Sequence, residues 1–297
     1  MFNKKLLYCK LCNDTNLYKL FNTQDFSQKV DNHEFSYLKC RTCKSIQIEE
    51  VPINLKKYYR ENYDPYNTKE FSSVNNKIFQ SRLKILKQYK NIKNILEVGS
   101  ADGGFALMAK KVGFDISCVE MNNKVTKNLK ENNITVVNKK IENLKITDFN
   151  CKFDCIVAFH LIEHVNIKTF IKKIKSLIKK NGIVFIITPN INSLSFKIFK
   201  RFWFAMEAPR HINLPSENIL NKLMNDSGFE KKNKIQISYD NFKTSQYCWW
   251  MSGFYMSKYY KNKFYSRVYK IIGLIMPFIE LFINNSAALS VIYKKNK

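Results

Sequence analysis

The chain has 297 residues, 45 % of them hydrophobic and 14 % aromatic, which is enough for one large domain with a small one beside it and excludes a disordered chain. Its 50 Lys and Arg against 24 Asp and Glu leave a formal charge of +26, a balance that invites a nucleic-acid or anionic-membrane partner. Only six of the cations are Arg (Arg41, Arg60, Arg82, Arg201, Arg210, Arg267). Specific phosphate and base readers lean on Arg for its planar fork, so a solvated lysine surface is preferred over a nucleic-acid face.

The residues after Met1 lack the apolar stretch of a signal peptide. The most apolar late segment, Ile271 to Ile283, carries Glu280 and is shorter than the roughly 20 residues of a spanning helix. A cytoplasmic location is expected, and there eight Cys argue for a metal or free thiols rather than disulfides.

In chain order, the first informative feature is Cys9-x-x-Cys12 followed by Cys40-x-x-Cys43, with 27 residues between the pairs. Four thiolates close a tetrahedron around Zn²⁺ and leave no open position, so the expectation is a structural zinc ribbon over residues 1–55. Leu17–Phe21 and Phe35–Leu38 are its expected strands, and His33 reads as an exposed loop residue. Cys118 and Cys155 lie inside apolar runs, as small core hydrophobes do.

A Tyr-rich exit runs from Lys56 to Tyr66; Tyr63 and its neighbours either lie over a ligand or pack the ribbon onto the rest of the chain. Phe71 to Tyr89 reads as an amphipathic helix in which Arg82 is a polar break. Strands are then predicted at Ile95–Val98, Phe114–Val119, Ile134–Val137, Phe153–Phe159 and Ile183–Thr188, alternating with helices near 104–112, 122–132 and 166–180. Short, nearly continuous apolar runs of this kind build a parallel sheet covered on both faces, a doubly wound α/β domain. Gly113 and Gly182 read as helix-ending glycines. Later come a loop with Phe202-Trp203-Phe204 and Pro209-Arg210-His211, a helix from Glu217 to Gly228, a strand at Lys234–Ser238, an aromatic and basic stretch over 241–283, and a last strand at Ala287–Tyr293.

Ligands in such sheets sit at the carboxyl ends of the strands. There the chain reads Leu96-Glu97-Val98-Gly99-Ser100-Ala101-Asp102-Gly103, a strand and glycine turn opening a helix, with Glu120 placed 21 residues after Gly99 to take ribose hydroxyls. The spacing Gly99-x-x-x-Gly103 is not the dinucleotide pattern, and Glu97 would repel a pyrophosphate while suiting an ammonium.

These motifs, with Phe153-Asp154 through Glu163-His164-Val165, Gly182 through Thr188-Pro189-Asn190, Pro209-Arg210-His211 and Ser227-Gly228-Phe229, resemble the successive motifs of class I S-adenosylmethionine-dependent methyltransferases. With the cysteine ribbon ahead of them, the whole resembles zinc-ribbon methyltransferases of sugar and surface-glycan biosynthesis. The resemblance implies a Rossmann-like seven-stranded sheet with an antiparallel last strand, a methyltransferase domain over 56–297 and a helical cap inserted at about 241–283. It implies that Glu97, Gly99, Ser100, Ala101 and Gly103 hold the methionine and ribose portions of S-adenosylmethionine. Glu120 with Met121 would take the ribose side, Lys140 and Ile141 would flank the adenine, and Phe159 and His160 would line the methionine. Ala101 replaces the pattern's middle glycine, and Lys139-Lys140 stand where many members carry an acid.

Methyl transfer needs an aligned acceptor, exclusion of water and often a base. His160, His164 and His211 are the candidate bases, His164 equally a cap for the next helix. Arg210 either clamps an acceptor's phosphate or carboxylate or makes a salt bridge that holds its loop. Trp203 either stacks on the acceptor or packs the cap. The expected partner is a small-molecule or glycan acceptor, with peripheral membrane contact through the aromatic, basic cap; RNA methylation and a non-catalytic cofactor-binding scaffold are the alternatives. The sequence is silent on oligomeric state.

Overall fold

The computed structural model describes residues 7–59 and 71–296. The cysteine segment folds first, as β1 (Leu17–Gln24), β2 (Glu34–Cys40) and β3 (Ile46–Ile48). After α1 (Phe71–Leu86) come β4 (Asn94–Val98), α2 (Gly104–Lys111), β5 (Asp115–Val119), α3 (Asn123–Glu131), β6 (Thr135–Val137), β7 (Phe153–Phe159), α4 (Ile167–Leu177) and β8 (Ile178–Pro189). Then follow α5 (Leu194–Phe199), β9 (Asn213–Leu214), α6 (Glu217–Asp226), β10 (Phe229–Ile235), α7 (Tyr239–Tyr259), α8 (Lys263–Phe282) and β11 (Ala288–Lys295).

Local chemistry explains these elements. β7 is apolar apart from Asp154 and is buried along nearly its whole length, so it occupies the middle of the sheet. α4 buries Ile167, Phe170, Ile171, Ile174 and Leu177, one face at helical spacing, and the Asn166 side chain caps it by accepting the Thr169 N–H at 3.0 Å.

The main sheet runs β10-β11-β8-β7-β4-β5-β6. β4 to β8 are parallel, and β11 pairs antiparallel with both β8 and β10. This is the expected seven-stranded sheet, with the last strand in chain order inserted antiparallel. Two local expectations need correction. Gly182 does not end a helix: α4 stops at Leu177, and Gly182 lies within β8, where an added Cβ would come within 3.0 Å of the Asp154 carbonyl oxygen. The strand expected at Lys234–Ser238 sits earlier, at Phe229–Ile235. It is an edge strand, and its lysines protect the open edge rather than mark a loop.

The segment 241–283 forms an antiparallel helical hairpin, α7 and α8, between β10 and β11. Gly253 and Gly273 allow the two helices to touch: a Cβ at Gly273 would sit 2.4 Å from Trp250 Cδ1, and one at Gly253 2.4 Å from Tyr269 Cβ. Glu280 faces inward, fully buried, and its Oε1 accepts the Ser195 N–H at 2.8 Å.

The ribbon strands form a second sheet, β1-β2-β3-β9. Its fourth strand comes from the far side of the α/β core in sequence, so the cysteine segment is stitched to the loop before α6. Ser216 reinforces the seam: its Oγ donates to the Cys43 carbonyl at 2.6 Å and accepts the Ile219 N–H that begins α6 at 3.3 Å.

Candidate active site

The turn after β4 is built for close approach. Gly99 has φ 79°, and a Cβ there would meet Leu161 Cδ1 at 2.9 Å. Its N–H donates to the Val119 carbonyl at 2.8 Å, tying the turn to the end of β5. Ala101, in the place of the missing glycine, is held at φ 48°, the left-handed region that glycine prefers. Glu97 is 3 % exposed, and burial raises its carboxyl to about 8 despite the opposing pull of Arg82 and the Ser100 hydroxyl. A buried acid held in its neutral form is one that a ligand's cation would ionise.

Glu120 closes the far lip of the cradle. Its Oε1 accepts the N–H groups of Met121 and Asn122, each at 2.7 Å. Burial raises its pKa, opposed by those N–H groups and by the backbone of Ser100 and Ala101. Glu120 and the glycine turn are therefore adjacent, as expected. Met121 is 54 % exposed beside them. The Asn138 side chain donates to the Met121 carbonyl at 3.3 Å, which brings the end of β6 to the same lip. Lys140 is exposed there, and Ile141 is buried in a short helical turn, Ile141–Asn143.

Phe159 is mostly core, its ring packed edge-on against Phe105 and Phe185 at 5.0 and 5.3 Å. Arg82 lies 4.2 Å above the same ring and pairs with Asp240 at 2.7 Å, linking α1, β7 and α7. In the sequence Arg82 reads only as a polar break; an Arg on the buried stripe of an amphipathic helix is the signal for this role.

The second half of the site lies beyond β7. His160 is held at φ 52°, a strained backbone for a non-glycine residue, with its Nδ1 3.6 Å from Glu163 Oε1. Glu163 is fully buried, and its Oε2 accepts the Thr188 hydroxyl at 3.0 Å. Burial works to raise its pKa, yet the hydrogen bond from His160, and the charge that His211, His164 and His160 carry when protonated, bring it down to about 2. His164 and His211 stack edge to face, centroids 4.5 Å apart. Burial and the neighbouring His211 lower His164 to about 4, and burial lowers His211 as well, so both rings are neutral at physiological pH.

Their tautomers follow from their partners. His164 Nδ1 lies 3.1 Å from the Arg210 carbonyl, and His211 Nδ1 lies 2.8 Å from the Ala205 carbonyl. A carbonyl only accepts, so each Nδ1 carries the hydrogen and each Nε2 carries a lone pair. The Tyr59 hydroxyl lies 3.0 Å from the same His164 Nδ1, so its oxygen shares the Nδ1–H with the Arg210 carbonyl. One ligand-type atom from each of Glu163, His164 and His211 lies within 4.8 Å of the others. Such a set can receive a hydroxyl proton or hold a divalent cation.

Two expected acceptor contacts are corrected. Arg210 is 0 % exposed and is spent inside the protein. Its Nη2 pairs with Asp25 at 2.9 Å and reaches the Ser27 hydroxyl, its Nη1 donates to the Tyr58 carbonyl at 3.1 Å, and its Nε faces Glu207 at 3.4 Å. It staples the cysteine segment to the 200–211 loop, the salt-bridge reading. Trp203 is 1 % exposed, packed on Phe196 at 5.1 Å, with its Nε1–H donated to Ser195 Oγ at 3.2 Å. Tyr63 lies outside the described residues.

The four ribbon cysteines converge. Cys9 and Cys43 sulfurs are 3.5 Å apart, Cys12 and Cys40 sulfurs 3.6 Å, and all four lie within 4.8 Å. A tetrahedron on metal–sulfur bonds of about 2.3 Å has edges close to those separations. The hydrogen bond from the Cys9 thiol, with help from Ser45, lowers Cys43 to about 4, so one thiolate is already favoured.

A seven-stranded α/β sheet with an inserted antiparallel strand, carrying a glycine turn and the Glu120 carboxyl together at its carboxyl edge, defines a methyltransferase-type architecture. A family model described as a methyltransferase domain matches residues 71–233, more than half of the 297 residues, and the chain belongs to that family. It is 35 % identical over 132 residues to a ubiquinone biosynthesis O-methyltransferase of Pelagibacter ubique (strain HTCC1062), covering 42 % of this chain. The match spans about half, 51 %, of that relative's length. Among solved structures it is similar to magnesium protoporphyrin IX methyltransferase from Synechocystis PCC 6803 with bound S-adenosylhomocysteine, at 10 % identity, 82 % and 93 % coverage of the two chains and a TM-score of 0.49. An N-methyltransferase from Bradyrhizobium japonicum WM9, also bound to S-adenosylhomocysteine, matches at 10 % identity, 82 % and 98 % coverage and a TM-score of 0.49.

Proposed function

We propose that this chain transfers a methyl group from S-adenosylmethionine to a hydroxyl of a small acceptor, a sugar of a nucleotide- or lipid-linked glycan precursor. The observation that carries the reading is the convergence of Glu163, His164 and His211, three proton-accepting groups, beyond the strand next to the glycine cradle. Membership of the methyltransferase family supports the donor, and the O-methyltransferase relative supports oxygen as the acceptor atom. The glycan class rests on the resemblance of the ribbon-plus-motif order.

When bound, the donor supplies a methyl group already activated as a sulfonium. Glu97, Gly99, Ser100, Ala101 and Gly103 would hold the methionine portion, with the Glu97 carboxyl placed to ionise against its ammonium. Glu120 orients the ribose, with its carboxylate already fixed by two N–H groups. Met121, Lys140 and Ile141 stand at the adenine lip, and Phe159 and His160 at the methionine side. His164 would receive the acceptor's hydroxyl proton at Nε2, while the donor would give up its methyl group by breaking its sulfur–methyl bond and leave as a neutral thioether. Glu163 stabilises the imidazolium that results, and Tyr59 and the Arg210 carbonyl hold the ring. Cys9, Cys12, Cys40 and Cys43 would hold a structural Zn²⁺, which would brace the segment that carries Asp25 and Tyr59.

The test uses S-adenosylmethionine labelled in its methyl group and a cell extract separated into glycan and RNA fractions. Label in the glycan fraction, lost in His164→Gln, is expected. Label confined to RNA overturns the acceptor, and cofactor binding without any transfer overturns the catalytic reading.

A further inference from the structure

The outer face of α8 has no cover among the described residues. Ile271, Leu274, Ile275, Phe278 and Phe282 fall at i, i+3, i+4, i+7 and i+11, one stripe along three turns, and their exposures run from 54 % at Leu274 to 88 % at Phe282. Soluble proteins rarely leave a contiguous apolar patch of this kind unless it meets a partner. The helix's one acid, Glu280, is on the opposite, buried face. Toward the helix start the stripe continues through Phe264, 62 % exposed, and is flanked by cations, with Lys263, Arg267 and Lys270 exposed and Lys258 and Lys261 exposed in the approach to it. The cap aromatics singled out by the sequence are divided: Trp249 and Tyr255 are core, 2 % and 4 % exposed, while Tyr259 and Tyr260 are 44 % and 51 % exposed at the hairpin corner.

We propose that this face docks the protein on an anionic lipid surface. α8 lies in the plane of the interface, its apolar turns at the acyl boundary and its basic turns against the headgroups, the arrangement of an interfacial amphipathic helix. Charge decides the occupant. A second copy would bring another +26 chain against this one, setting basic turns against basic or apolar ones. An anionic bilayer offers both an acyl layer and negative headgroups. The helix lies on the bilayer and does not cross it, because no helix of the described residues is long and apolar enough to span. The inference stands apart from the acceptor and the catalytic groups.

The test is co-sedimentation of the full chain with phosphatidylglycerol vesicles and with phosphatidylcholine vesicles. Binding to the anionic vesicles is expected to be at least about tenfold tighter, and to fall with added salt. Leu274→Glu with Phe282→Glu is expected to abolish it without changing the melting temperature, since both side chains are exposed. Lys263→Glu with Arg267→Glu, on the cationic half, is expected to weaken it by at least roughly 30-fold. Equal binding to both lipids, or binding untouched by either pair, overturns the proposal. So does a concentration-dependent dimer in light scattering that the apolar pair dissolves, which assigns the face to a second copy.

Discussion

His164 gives the sharpest test of the buried cluster. Its pKa falls from 6.5 to about 4 on folding, so the unfolded chain binds a proton over that range that the folded chain refuses. The stability contribution is therefore fully present above pH 6.5 and is lost as pH falls to about 4. A gap of about 2.5 units at 1.36 kcal/mol per unit amounts to roughly 3 kcal/mol. The perturbation is His164→Gln, which keeps a polar side chain near Tyr59 and the Arg210 carbonyl but cannot titrate. The assay is urea unfolding followed by tryptophan fluorescence, in half-unit steps from pH 7.5 to 4. Groups away from the cluster titrate alike in both proteins and cancel, while Glu163 and His211, which face the His164 ring, belong to the difference being read. Wild type is expected to lose about 3 kcal/mol more than the variant between pH 6.5 and 4. Parallel curves would refute the claim that this ring is held neutral.

Three further outcomes follow from the same structure. Arg210→Met strands Asp25 and Glu207 without their cation and is expected to destabilise the fold by about 3–5 kcal/mol in denaturant unfolding, far more than loss of a surface contact. Ala101→Gly relieves a left-handed alanine and is expected to change stability favourably by at most about 1 kcal/mol, the strain relief being offset in part by glycine's greater unfolded freedom; a clear loss of stability would contradict the strain argument. Cys40→Ser should release close to one equivalent of zinc per chain, read with a colorimetric chelator, and should lower the melting temperature. Unchanged metal content would remove the ribbon's zinc.

The parts of this molecule legible in the sequence are those encoded over short distances. The apolar run of β7, the glycine turn after β4 and Glu120 after β5 each lie within one element or its neighbour, so spacing alone located them. The two CxxC pairs were legible because metal geometry constrains their spacing, and the thiols do converge. What stayed hidden depends on contacts between distant segments. Nothing near Asp25 announces that it will meet Arg210, 185 positions away, or that Asn213–Leu214 will complete the ribbon sheet. For the same reason the sequence leaves Arg210 open between an acceptor contact and a salt bridge, whereas the fold uses it internally. β10 was displaced because its Lys and Glu residues obey the rule for an exposed edge rather than for a core strand. The tautomers of His164 and His211 rest on carbonyls of residues 205 and 210, which no side-chain pattern reveals.

The central claim is that the cradle from Glu97 to Glu120 binds S-adenosylmethionine. Titration calorimetry with S-adenosylhomocysteine, comparing wild type with Glu120→Ala, tests it most directly. One binding site per chain is expected, weakened roughly 10- to 100-fold in the variant as hydrogen bonds to a charged carboxylate are lost. No heat of binding in the wild type, or equal affinity in the two proteins, would contradict the account.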